Sequence, residues 1–163
     1  MLLKNYKSAM DSWTGRVDST TDADAFRWHQ QVRQLDLNRE KVRGAEGLAF
    51  GLIGFCSDQG VRRNKGRPGA AEGPDAIRSQ MASLPWGFTE QVCLYAAGNI
   101  CCGDDITLEE GHRQLAAAVE AVLGMGLFPI VLGGGHETTF GHFEGQWAHL
   151  KKKRHAPAGH FEF

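Results

Sequence analysis

LFPIVLGGGHETTFG (127–141) decides the fold. Leu127 to Leu132 form an apolar run of strand length, ended by three glycines and the ionisable pair His136–Glu137. A helix is expected from near Glu137 to about Leu150, which makes the stretch a strand, a tight turn and a helix start. Working outward, the same grammar repeats. LAFGLIGF (48–55) is an apolar strand followed by a long glycine-bearing loop at 56–73. Pro74 then suits the first turn of a helix, with Ile77, Met81 and Leu84 as its expected buried stripe. VCLYAA (92–97) is a further strand. TLEE (107–110) has the form of a capping box, Leu115, Val119, Val122 and Leu123 make an inner helical face, and Gly124 suits the C-terminal cap. Strands alternating with helices in this order predict an α/β fold, a parallel sheet with helices on both faces. Three parts are expected: an N-terminal extension at 1–46 with at most one short helix, the α/β region at 47–150, and a basic tail at 151–163.

Composition narrows the function classes. The 163 residues suffice for one domain with a core, and a net charge of -1 offers no global field for nucleic acid or an anionic membrane. No apolar run is long enough to span a bilayer, and no signal-peptide core precedes the first strand. Cys56, Cys93, Cys101 and Cys102 form no C-x-x-C spacing, so reduced thiols and a cytoplasmic location are expected.

In open parallel sheets ligands gather where the strands end, at their carboxyl edge. The 56–73 loop and His136 both fall on that rim. The three glycines do not complete a G-x-G-x-x-G fingerprint, because Thr138 occupies the sixth position, and Gly66 to Gly69 lack a P-loop ending. His136 at a helix start tends to stay neutral, the form that ligates metals; taken alone, the pair fits a half-buried helix-capping histidine better than a ligand. Arg62, Arg63, Lys65 and Arg67 surround Asn64 in a loop that reads as an anion clamp or as a solvated basic turn.

GFCSDQGVRRNKGRPGAAEGPDAIR (54–78) and IVLGGGHETTFGH (130–142), with YAAGNI (95–100), closely resemble the formimidoylglutamases of histidine degradation, within the arginase-like ureohydrolases. The resemblance covers about residues 48 to 145 and implies a three-layer α/β/α domain. It implies hydrolysis of a small molecule, N-formimidoyl-L-glutamate, to L-glutamate and formamide, by hydroxide bridging two Mn2+ ions, whose charge makes hydroxide available at neutral pH. His136 is then expected as a manganese ligand, Arg63 and Asn64 face substrate carboxylates, and Arg62 and Arg67 stand nearby. On this reading Gly133 to Gly135 make room for the metal. Assembly into homo-oligomers is a further implication.

The sequence departs from that family in its metal motifs. The D-A-H-x-D motif and the later D-x-D motif do not occur after the glycine turn; Asp22–Ala23–Asp24 precedes the first strand and corresponds to neither. Beyond Leu150 the chain reads KKKRHAPAGHFEF. The expectation is an N-terminal half of a ureohydrolase domain with its C-terminal part missing, impaired in catalysis. The alternative is an inactive fragment acting as a binding module. An unpaired sheet edge predicts low solubility.

Overall fold

A computed structural model describes residues 2–42, 47–88, 91–103 and 105–155. The last part of the expected basic tail, 156–163, and the junction at 43–46 lie outside the described residues. In chain order the elements are β1 (Tyr6–Lys7), α1 (Trp28–Gln31), β2 (Arg33–Gln34), β3 (Leu48–Cys56), α2 (Gln59–Arg63), α3 (Gly73–Ala82), β4 (Val92–Cys101), α4 (Leu108–Gly124), β5 (Phe128–Leu132) and α5 (Thr138–His155), with short 3-10 turns at Met10–Ser12, Ala23–Ala25 and Ala70–Glu72.

The near-continuous apolar runs of β3 and β4 belong at the centre of a sheet covered on both faces. They pair parallel from Leu48↔Val92 to Cys56↔Cys101, with a bulge between Leu52 and Gly54. On its other side β3 pairs parallel with β5, from Phe50↔Phe128 to Gly54↔Leu132. Side chains alternate between two cores. Ile53, Phe55, Tyr95 and Ala97 meet Leu115, Ala118, Val119 and Val122 of α4. Leu52, Leu94 and Ala96 meet Ala82 of α3, with Trp13 and Val32. The expected α/β class is borne out, as a mostly parallel sheet with one antiparallel member.

That member comes from the first 42 residues, which do more than the expected extension with one short helix. β1 runs antiparallel to β4 (Tyr6↔Ile100) and β2 runs parallel to it (Arg33↔Tyr95), so two short pieces share the β4 edge. Leu3 and Leu35 are buried in the α4-side core. The Tyr6 hydroxyl donates to the Leu35 carbonyl at 2.9 Å, and Asn38 Oδ1 accepts from the Leu3 N–H at 2.7 Å.

Three local expectations are corrected. The buried residues of α3 are Pro74, Arg78 and Ala82, whereas Ile77 and Leu84 are exposed. Arg78 is wholly buried because its guanidinium donates to Asn99 Oδ1 at 2.6 Å and to the Gly98 carbonyl at 3.3 Å. At α4, Thr107 caps the Glu110 N–H at 3.2 Å as expected, but the Glu110 carboxylate accepts from Gln114 and Arg113. The helix closes on Gly126 rather than Gly124. Gly126 has φ 78°, and the Gly126 and Leu127 N–H groups donate to the Leu123 and Val122 carbonyls, the paired bonds of a Schellman motif.

Candidate functional site

Because β3 and β5 are parallel neighbours, the segments that follow them emerge on one rim. After β3 the chain forms α2, a turn at Lys65, and the 3-10 turn before α3. After β5 come the glycines, His136 and Glu137, and α5 begins at Thr138. The two segments enclose a cleft of about 320 Å³ lined by Gly60, Val61, Asn64, Gly66, His136 and Glu137.

Glu137 joins the two walls: its Oε1 accepts the Gly60 N–H at 3.1 Å. A second carboxylate shapes the approach to α3. Asp58 accepts from the Gly69 N–H at 3.0 Å and the Ala71 N–H at 2.9 Å. Desolvation pushes the Asp58 carboxyl up, but those backbone donors, with that of Ala70 and the charge of Arg62, hold it below its ordinary value. Lys65 has φ 55°, a conformation that costs a side-chain-bearing residue of the order of 1 kcal/mol, and it closes α2 with bonds from its own N–H to the Arg62 carbonyl and from Gly66 N–H to the Val61 carbonyl.

The glycine turn is packed closely by the protein itself. A methyl group on Gly133 would overlap Pro74. One on Gly134 would lie 2.6 Å from Thr138 Oγ1 and 2.8 Å from the Phe55 carbonyl oxygen, and Gly134 has φ 80°. At Gly135 it would collide with the Glu137 carboxylate. The missing side chains thus make room for the protein's own α3 start, β3 end and Glu137. The Thr138 hydroxyl completes the turn by donating to the Gly133 carbonyl at 2.8 Å.

Of the three residues singled out in the sequence, the fold brings Asn64 and His136 to the same cleft. His136 is exposed rather than half-buried. Arg63 turns away: its guanidinium holds Glu109 at the start of α4 with bonds of 2.6 and 3.1 Å. That fork depresses the Glu109 carboxyl to about 2. Sequence reasoning missed Glu137, Asp58 and Glu109 as the groups that position this loop. Glu137 was visible only as half of a His–Glu pair, and its partner lies 77 residues away.

A manganese centre needs several oxygen or nitrogen donors converging on one point. Among the described residues no group of three or more His, Cys, Asp or Glu side chains is placed to hold a metal ion. His136 offers one donor and Glu137 is engaged with Gly60. The residues present here do not fit a complete manganese site.

The sequence profile of the arginase family matches residues 48–156, and the chain belongs to that family. Within it, the chain is 51% identical over 153 residues to the formimidoylglutamase of Clostridium tetani, covering 93% of this chain and 45% of that protein. It is 48% identical over 133 residues to the formimidoylglutamase of Geobacillus kaustophilus, covering 82% of this chain and 41% of the relative. The crystal structure of Trypanosoma cruzi formiminoglutamase with Mn2+ superposes with a TM-score of 0.56 at 33% identity, covering 67% of this chain and 38% of that one. The chain therefore spans less than half the length of the curated relatives it matches. No described helix is long and apolar enough to cross a membrane.

Proposed function

We propose that this chain carries the first half of a cytoplasmic, manganese-dependent formimidoylglutamase acting in histidine degradation. The reaction is hydrolysis of N-formimidoyl-L-glutamate to L-glutamate and formamide, and these 163 residues alone turn over little or no substrate. The observation that carries the reading is the shared cleft of Asn64 and His136, built from two segments whose sequences resemble that enzyme family. In this reading Asn64 offers its side-chain amide to a substrate carboxylate, and His136 supplies one imidazole donor to the metal centre. Arg63 contributes only after releasing Glu109, so its fork is a reserve for substrate rather than a standing part of the wall. Homo-oligomeric assembly belongs to the same proposal.

A second reading has a specific observation behind it. Because no three metal-binding side chains converge among the described residues, the chain is also compatible with a catalytically inactive binding module. One experiment separates the two. Residues 48–150 replace the matching stretch of the Clostridium tetani formimidoylglutamase, and Mn2+ binding is measured by calorimetry alongside formamide release. The first reading expects a folded chimera that binds Mn2+ tightly and releases formamide, with His136→Ala weakening Mn2+ binding. A folded chimera without turnover supports the second reading, and unchanged Mn2+ affinity in His136→Ala removes the histidine from the ligand set. The 163-residue chain itself is expected to show no pair of tight Mn2+ sites.

A further inference from the structure

Cys56 ends β3 and Cys101 ends β4, and the two are register partners in the parallel ladder. Both line a second cavity of about 380 Å³ on the α3 face, together with Lys7, Asp11, Asp75 and Asn99. Register partners in adjacent strands point to the same side of the sheet. Adjacent strands lie about 4.8 Å apart, within the roughly 4.4–6.8 Å Cα separation that a disulfide spans. Both cysteines are free and only partly buried, so the cavity gives a small solute access to them. Cys102, one residue on, faces the opposite side and packs with the α4 core. The hydrolase reading uses none of these thiols.

We infer that Cys56 and Cys101 form a peroxide-sensitive dithiol, with Cys101 the attacking sulfur and Cys56 the resolving one. The Cys101 sulfur attacks one oxygen of hydrogen peroxide, the O–O bond breaks, and the departing hydroxide takes up a proton as water. Cys101 is then a sulfenic acid. The Cys56 sulfur attacks the Cys101 sulfur, the S–O bond breaks, and water leaves with the Cys56 proton. Two thiols are oxidised to one disulfide, and one peroxide is reduced to two waters.

The division of labour follows from the local chemistry. The hydrogen bond from Cys56 holds the Cys101 thiol down at about 7 against the opposing effect of burial, with help from the charge of Lys7 and resistance from Asp75. The same bond and burial push Cys56 up, and burial pushes Cys102 up to about 11. Of the two thiols, Cys101 is thus the one biased toward thiolate and Cys56 the one biased to keep its proton for the resolving step.

The test treats the intact chain with hydrogen peroxide at neutral pH, then denatures it, alkylates the remaining thiols and digests with trypsin. The expected product joins the peptides 44–62 and 79–113 with the loss of two hydrogens. It persists in Cys93→Ser and Cys102→Ser, disappears in Cys101→Ser and Cys56→Ser, and is reversed by dithiothreitol. A wild-type chain that forms no such cross-link, or a cross-link that survives Cys101→Ser, overturns the assignment. A brief iodoacetamide pulse on the folded wild-type chain gives a readout that needs no variant. Labelling first at Cys101 is expected, and labelling first at Cys93 or Cys102 overturns the attacking role.

Discussion

Arg78 shows how one side chain can organise a region. It is buried beneath α3, with Asn99 and the Gly98 carbonyl as acceptors and Asp75 at its outer end. Replacing it with leucine strands those acceptors. The expected cost is about 2–4 kcal/mol, seen as a lower urea midpoint at an unchanged slope. Asp58 supplies the pH-dependent counterpart. Its folded-state pKa lies below the unfolded one, so its contribution is present above the ordinary carboxylate range and is lost as the pH falls. Wild type should lose stability relative to Asp58→Asn on acidification through that range, and equal slopes of midpoint against pH would refute the role. Neither residue was singled out in the sequence. A lone arginine at helical spacing reads as solvent-facing, and its acceptors lie 20 and 21 residues further along. By contrast, the convergence of Asn64 and His136 was legible, because segments following parallel strands share a rim by construction.

Helix ends carry the clearest contrast among the elements. α4 and α2 both finish with a left-handed residue, Gly126 at φ 78° and Lys65 at φ 55°. The same geometry therefore predicts opposite signs. Gly126→Ala should destabilise by about 1 kcal/mol, while Lys65→Gly should stabilise by up to about that amount, both read from thermal or urea unfolding. β3, β4 and β5 could be read from the sequence because fully buried strands are apolar runs needing no alternation. β1 and β2 could not, since two residues carry no period, and their existence depends on the edge that β4 offers them. The stripe of α3 misled for a related reason: Ile77 and Leu84 follow helical spacing, yet they face away from the sheet.

Across the whole molecule, apolar surface is distributed unevenly. α5 presses a narrow face on α4, with Gly141 against Leu115 and Gly145 against Val119. Phe140, Phe143, Trp147 and Leu150 consequently face outward, and Phe143 stacks on Trp147 at 6.5 Å. Beyond β3, β5 has no further strand partner among the described residues, and Phe128 on it is 66% exposed. An unpaired edge beside an aromatic helix face promotes association. Sedimentation velocity should show aggregation rising with concentration, reduced in the double variant Phe143→Glu, Trp147→Lys. A monodisperse monomer at high concentration would count against it. The β4 edge was met differently, by residues 6–7 and 33–34. During synthesis at about 5–20 residues per second, that leading segment waits on the order of several seconds for its docking strand to leave the ribosome. Its apolar side chains are open to chaperones throughout that interval, until β4 emerges and offers them an edge.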